Sequence, residues 1–112
     1  MQIGALRMVF VLRAARSLKD KRSASSRIRQ RVKNRFEVAV GEVEDQDSLR
    51  RLVIGVAAVS NDARELRSLL DKIVGFVEGL YVAEMVERRV EIMPFKGGFA
   101  DIVSFVDEAA DD

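Results

Sequence analysis

The chain of 112 residues contains two long apolar runs, the first interrupted only by Arg7, and these restrict the possible folds more than any other feature. Ile3–Leu12 and Leu52–Val59 each have the length of a β-strand and are rich in β-branched side chains. Because neither run alternates with polar residues, except at Arg7, each is predicted to be a central strand that is covered on both faces. Neither approaches the roughly 20 residues of a membrane-spanning helix, and a strand explains the N-terminus better than a signal peptide.

A helix-start signal and a helical apolar stripe follow each central strand. Ser17 and Asp20 form a capping pattern, and apolar residues then recur at helical spacing to about Arg35. The arc predicted to face the sheet consists of Leu18, Ala24, Ile28, Val32 and Phe36. The second helix is predicted to start at Ser60–Asp62 and to end at Gly79.

Two further strand-like segments carry charge, which is typical of sheet edges. They are Phe36–Glu44 and Met85–Met93. Right-handed crossovers are expected to bring the first and third strands together as parallel neighbours. The element order predicts an α+β, ferredoxin-like βαββαβ sandwich, with a four-stranded antiparallel sheet in the order 4-1-3-2 and two helices on one face.

The sequence divides into a domain of residues 1–93 and a tail of residues 94–112. Pro94 is predicted to end the last strand, and Gly97-Gly98 is predicted to form a flexible joint. Apolar residues at helical spacing then predict a short C-terminal helix before an acidic end: Phe99, Ile102, Val103, Val106 and Ala110. The open face of the sheet needs a cover. The tail and a second subunit are both candidates, and the sequence leaves this choice open.

Composition excludes several kinds of chemistry. The chain has no Cys and no His, so it lacks thiolate chemistry, the usual general base at neutral pH and the commonest metal ligand. No phosphate-binding loop or dinucleotide fingerprint is present. We therefore predict a cytoplasmic protein that is not an enzyme and that uses no cofactor and no metal.

Three segments, in order, resemble the YlxP-like family of small bacterial proteins. They are Ala15–Arg22 (ARSLKDKR), Val38–Asp47 (VAVGEVEDQD) and Val53–Asp62 (VIGVAAVSND). The resemblance implies a ferredoxin-like fold. Genes of this family often lie near those of translation initiation and ribosome-binding factors, which implies a role around the ribosome. No catalytic residue is established for the family, so the resemblance assigns none.

The charge of the chain is unevenly distributed, although its net charge is only +1. Residues 1–35 contain 11 Lys/Arg and one Asp, a net charge of +10, whereas residues 36–112 contain 8 Lys/Arg and 17 Asp/Glu, a net charge of −9. Like charges one turn apart on a helix repel, and cations in the first turn oppose the helix dipole. Charges that destabilise a helix without a visible compensating interaction mark a candidate functional site.

A docked anion relieves both costs, so we predict that the first helix and the loop before it bind RNA phosphates. The predicted contact residues are Arg13, Arg16, Lys19, Lys21, Arg22, Arg29 and Lys33. The predicted partner is ribosomal RNA or a ribosomal subunit. Two alternatives remain open: the basic segment is simply solvated, or it meets acidic protein surface in a protein–protein module or homodimer that has no nucleic-acid ligand.

A cluster of acidic residues, Glu42–Asp47, occupies the predicted turn between the second and third strands. Carboxylates suit Mg²⁺ or Ca²⁺, but the spacing matches no calcium loop. We therefore favour a solvated turn or a docking patch over a metal site.

Overall fold

The computed structural model describes residues 1–96, in which six elements occur in the predicted order. They are β1 (Gln2–Val11), α1 (Leu18–Arg35), β2 (Ala39–Glu44), β3 (Arg51–Ser60), α2 (Ala63–Glu78) and β4 (Glu84–Pro94). The strands form one sheet in the order β2-β3-β1-β4, which is the predicted order read from the other edge. The predicted C-terminal helix lies outside the described residues. In this part of the chain, no helix is long and apolar enough to cross a membrane.

The central strands β1 and β3 are antiparallel, so the expectation of a parallel central pair is wrong. Their ladder pairs ten residues, from Gln2 with Ser60 to Val11 with Arg51. The pairs β1–β4 and β2–β3 are also antiparallel. Each helical crossover leaves room for one strand between the two strands that it connects. The strands β1 and β2 therefore run in the same direction with β3 between them, and β3 and β4 run in the same direction with β1 between them.

The core lies between the helices and one face of the sheet. Alternate residues of the central strands point into it and are almost fully buried: Leu6, Met8 and Phe10 from β1, and Leu52, Ile54 and Val56 from β3. The helix α2 approaches β1 closely at Gly4, since a Cβ atom there would lie 2.9 Å from the Leu66 Cγ and Leu70 Cδ1 atoms. A glycine at this position therefore permits the helix–sheet contact.

The helix α1 begins as predicted, and the predicted arc faces the sheet except at Leu18: Ile28 and Val32 are buried, and Ala24 and Phe36 pack against the core. The Ser17 side chain accepts a hydrogen bond from the Asp20 amide, which caps the helix. The buried residues of α1 are Lys21, Ser25, Ile28 and Val32. Leu18 is 41% exposed, so its predicted place in the core is wrong. Lys21 is buried on the arc that Leu18 was expected to share.

Both edge strands contain a bulge that redirects side chains. The β2–β3 register shifts between Glu42 and Glu44, which leaves Val43 as an extra residue, and the β1–β4 register shifts at Val86. Because of the first shift, the carboxylates of Glu42 and Glu44 reach opposite faces of the sheet. The strand β2 starts at Ala39 rather than at the predicted Phe36, which instead caps α1.

Candidate nucleic-acid interface

The charge of α1 differs sharply from that of α2, although the two helices have similar lengths. Between Leu18 and Arg35 there are eight Lys/Arg and one Asp, a net charge of +7. Between Ala63 and Glu78 there are three cations and three acids, a net charge of zero. Solubility alone is served by mixed charges of the α2 kind. The composition of α1 therefore needs a separate explanation.

Most of the α1 cations are exposed and have no carboxylate partner among residues 1–96. The exposed ones in this group are Lys19, Arg22, Arg27, Arg31, Lys33 and Arg35, and the Arg35 guanidinium also lies 5.1 Å from the centre of the Phe76 ring. At 3.6 residues per turn, Arg27, Arg31 and Arg35 lie on one flank of α1, and the other three lie on the opposite flank. Arg16, in the loop before α1, is exposed in the same way. The result is a positive surface around the solvent side of the helix, which we call the α1 basic surface.

Arginines of the sheet, in contrast, are bound to carboxylates. Arg7 contacts Glu44 at 2.5 Å and Glu87 at 3.2 Å, so it bridges the two edge strands across the open face. The hydrogen bond from Arg7 lowers the pKa of Glu44, because it stabilises the charged carboxylate. Arg51, Arg88 and Arg89 are paired in the same way. Their charges are thus partly neutralised within the fold.

Lys21 does not belong to the basic surface, and its prediction as an RNA-contact residue is corrected. Only 1% of the residue is exposed. Its Nζ atom donates to the carbonyl oxygens of Asp45 at 2.5 Å and Ser48 at 2.6 Å, and it lies 3.5 Å from a Glu42 carboxylate oxygen. Its ammonium group therefore joins α1 to the β2–β3 turn and is not available to a ligand.

Two other predicted contact residues have partners within the protein. Arg13 donates to Glu84 at 2.8 Å, and this bond lowers the pKa of Glu84. Arg29 is half-buried and donates to the Ser25 hydroxyl at 3.0 Å. Both keep a positive charge near the surface, but each is held in place by its partner.

The structure thus keeps four of the seven predicted contact residues exposed and without a carboxylate partner in residues 1–96: Arg16, Lys19, Arg22 and Lys33. The seven predicted contact residues do not include Arg27, Arg31 and Arg35, although the same helical spacing places them on the other flank of the surface. Their exposed side chains indicate that they belong to the same basic surface.

The acidic turn is occupied by the protein's own cations. Lys21 lies beside Glu42, Arg7 beside Glu44, and Arg51 contacts Asp45 at 2.6 Å. Across residues 1–96, no group of three metal-ligating side chains is placed to hold a metal ion. Three carboxylates of the turn thus form ion pairs within the fold.

The open face of the sheet is a second notable surface. Its middle is an apolar groove of about 550 Å³, and its floor includes the exposed alanines Ala5, Ala39 and Ala57. At one end of the face, Val59 and Met93 are 63% and 46% exposed. None of the described helices covers this face, since both lie on the other side of the sheet.

Comparisons with known proteins place the chain in a family. Residues 3–90 match the model of the family described as "Protein of unknown function (DUF503)". The uncharacterized protein YlxP of Bacillus subtilis (strain 168) is 33% identical over 89 residues, which are 80% of this chain and 97% of that protein.

Solved structures show weaker likeness. A dimeric protein of unknown function with a ferredoxin-like fold from Bacteroides fragilis is 11% identical, with a TM-score of 0.47 over 84% of this chain and 96% of that one. A variant of the cofactor-independent oxygenase SnoaB from Streptomyces nogalater is 8% identical, with a TM-score of 0.46 over 85% and 93%. The family match covers nearly the whole sheet and both helices, and the resemblance found in three sequence segments is confirmed: the chain belongs to the DUF503 family, which includes YlxP.

Proposed function

We propose that this protein is a non-enzymatic RNA-binding protein whose α1 basic surface contacts phosphates of structured RNA. The observation that supports the proposal is the set of exposed α1 cations that no carboxylate of residues 1–96 neutralises. Ribosomal RNA, alone or in a ribosomal subunit, is the partner that the gene neighbourhood of YlxP-like proteins favours. The protein would then work in the cytoplasm.

Physical chemistry favours a polyanion at this surface. Arg27 and Arg31 are one turn apart, as are Arg31 and Arg35, and such like-charge pairs destabilise an isolated helix by about 0.2–0.5 kcal/mol each. A polyanion reverses this cost and also releases its condensed counterions when cations replace them. Contacts to phosphates carry little sequence information, so we expect recognition of RNA shape rather than of a base sequence.

The test is a salt titration of binding to purified ribosomal subunits and to ribosomal RNA. The logarithm of the association constant should fall linearly with the logarithm of salt concentration, by about 0.7–0.9 units per phosphate contact. Removing two contacts with Arg22→Gln and Lys33→Gln should weaken binding and lower this slope by about 1.4–1.8 units. The pair Arg27→Gln and Arg31→Gln tests the other flank in the same way.

A matched control uses two exposed cations of α2. Arg67→Gln with Lys72→Gln makes the same change in net charge outside the basic surface, and the salt slope should stay unchanged. The proposal is wrong if the wild-type protein binds neither RNA nor subunits at low salt. It is also wrong if the α1 and α2 variants lower the slope equally, because binding would then follow net charge alone.

A second candidate function, assembly of two copies, is favoured by the open face of the sheet. Its alanine floor is apolar and exposed, and β4 carries both signs of charge at its edge, with Arg89 and Glu91 only 2.6 Å apart. Such an arrangement can pair with itself across a two-fold axis, because each charge finds its opposite on the other copy. The predicted C-terminal helix is the competing cover for the same face.

Molecular mass measured over a dilution series decides between these covers. A dimer through the open face should dissociate when Ala57→Arg places a charge on the groove floor. The control Ala63→Arg places the same side chain on the exposed start of α2 and should leave the mass unchanged. A monomeric mass at all concentrations would rule out the dimer and favour the tail as the cover.

A further inference from the structure

A second cleft of about 770 Å³ lies at the end of the molecule where α1 begins. It is formed by the loop that follows β1, the first turns of α1 and the segment that connects α2 to β4. Its lining is largely apolar and includes Ala14, Ala24, Val82 and Ala83. The core residues Leu12 and Ala15 form part of the cleft wall, and the cleft is open to solvent.

Tyr81 lies at this cleft and is 90% exposed, the largest exposed fraction among the large hydrophobic residues described. Its ring and hydroxyl form no hydrogen bond or ring contact within residues 1–96. Its backbone has a φ of 53°, in the left-handed region that favours glycine over a bulky residue. Gly79, two residues earlier, has a φ of −72° and so does not use the freedom of a glycine.

An exposed aromatic ring on a strained backbone is an unfavourable arrangement for the folded protein by itself. A strained conformation that the surrounding structure maintains is a reason to look for a function. Val82 and Ala83, which follow directly, pack against the core and hold the segment in place. Tyr81 is thus presented to solvent by a segment that is anchored on its C-terminal side.

The cleft is continuous with the α1 basic surface. Ala24 lines the cleft, and at 3.6 residues per turn Arg27 and Arg31 lie within about 60° of it on the same flank of α1. The two acids of the cleft already have partners: Glu84 accepts from Arg13, and Asp20 accepts from the Arg16 amide at 2.9 Å. The Tyr81 ring at the cleft and the guanidinium groups of Arg27 and Arg31, which have no carboxylate partner in residues 1–96, therefore lie on the same side of α1.

We infer that Tyr81 stacks on an unpaired base of the RNA while Arg27 and Arg31 hold the phosphates beside it. This inference rests on the proposed function and specifies its ligand as RNA in which a bulge or loop leaves a base unstacked. Aromatic rings beside basic side chains bind such bases because every base offers a π-face. The sheet offers no equivalent, since Phe10 of the central strands is buried.

The test compares two RNA hairpins that differ only by one bulged adenine. The wild-type protein should bind the bulged hairpin more tightly, by about 5- to 150-fold, the range that stacking of one base contributes. Tyr81→Ala should bind both hairpins equally and as weakly as wild type binds the unbulged one. Tyr81→Phe and Tyr81→Trp should keep the preference, because they keep an aromatic ring.

Two further measurements separate recognition from folding. Tyr81→Gly relieves the backbone strain, so its thermal unfolding midpoint should not fall, and yet its preference for the bulge should disappear. Tyr81 is the single tyrosine of the chain, and its ring-proton NMR signals should therefore move upfield on binding of the bulged hairpin alone.

The outcomes distinguish this inference from the proposed function. If wild type binds both hairpins equally, with no shift of the Tyr81 ring signals, then the inference is overturned and phosphate binding by α1 stands. If Tyr81→Ala keeps the preference, stacking at this residue is likewise excluded. If wild type binds neither hairpin at low salt, the proposed function itself fails.

Discussion

The ammonium group of Lys21 connects α1 to the β2–β3 turn from inside the protein. It is satisfied by two carbonyl oxygens and one carboxylate, and its side chain is 2% exposed, against 18% for Glu42. Removing one member of a buried pair leaves the other charge uncompensated, which costs about 3–5 kcal/mol. Lys21 is therefore a structural residue whose charge does not contribute to ligand binding.

Replacement of Lys21 by Met tests this role, because Met fills a similar volume without the charge. We expect Lys21→Met to lower the free energy of unfolding by about 3 kcal/mol, since Glu42 and two carbonyl groups lose their partner. Urea denaturation measures the change. The control Lys19→Met alters an exposed residue of the same helix and should change stability by less than about 0.5 kcal/mol. Equal effects of the two substitutions would contradict the structural role.

The ion pair of Arg7 with Glu44 predicts a dependence of stability on pH. The hydrogen bond from Arg7 lowers the pKa of Glu44 below the ordinary value of 4.5 for a glutamate. The stabilisation is therefore complete above about pH 4.5, and it is lost as the pH falls through the lowered pKa of the folded state. In urea unfolding at a series of acid pH values, Glu44→Gln should show a shallower loss of stability below pH 4.5 than wild type.

A control for the acid titration is Glu37→Gln. Glu37 is exposed and forms no ion pair within residues 1–96, so this variant should keep the steeper wild-type decline. A decline in Glu44→Gln that matches wild type at every pH would show that the Arg7 pair is not maintained in solution.

At the level of elements, the contact between α2 and β1 depends on the missing side chain of Gly4. A Cβ atom at this position would meet Leu66 and Leu70 at 2.9 Å, closer than carbon atoms pack. We expect Gly4→Ala to destabilise the fold by about 1–3 kcal/mol, the usual cost of overpacking a core. Gly41→Ala is the matched control, since a Cβ atom there meets nothing within 4 Å. Thermal or urea unfolding measures the stability of both variants. If Gly4→Ala leaves the free energy of unfolding unchanged, α2 can move away from β1 without loss of stability.

The elements themselves could be predicted because apolar periodicity reports burial directly. The uniform runs of β1 and β3 correctly indicated central strands, and the capping residues Ser17 and Asp62 correctly located both helix starts. The bulge at Val43 could not be predicted, because it depends on the register with β3. The role of Lys21 also depends on tertiary structure and could not be predicted, because its hydrogen-bond partners lie 24 and 27 residues later in the chain.

The positive charge of the candidate site could be predicted from the sequence, but the identity of the residues that form it could not. Counting cations identified α1, whereas deciding which of them stay unpaired requires the positions of distant carboxylates. Arg13 shows this, because Glu84, its partner, is 71 residues away and becomes a neighbour only through the β1–β4 pairing. The cleft at Tyr81 likewise forms only because the fold brings residues 81–84 next to residues 11–24, which lie far earlier in the chain.

At the level of the whole molecule, opposite charges are divided between residues 1–96 and residues 97–112. Residues 1–96 contain 19 Lys/Arg and 13 Asp/Glu, a net charge of +6, whereas residues 97–112 contain five acids and no cation, a net charge of −5. A covalently attached polyanion lowers the positive potential that the rest of the chain presents to RNA. Residues 1–96 are therefore strongly basic, although the net charge of the whole chain is only +1.

Neutralising the tail in the full chain should raise the affinity for RNA at low ionic strength. We expect this from Asp107→Asn, Glu108→Gln, Asp111→Asn and Asp112→Asn together, which change the net charge from +1 to +5. Fluorescence anisotropy with a labelled hairpin measures the affinity. The gain should shrink toward zero near 1 M salt, where the screening length is only about 3 Å. An unchanged affinity at low salt would show that the acidic residues 107–112 do not affect the electrostatic potential around α1. A gain in affinity that persists at high salt would indicate that the substitutions change a non-electrostatic contact with the RNA.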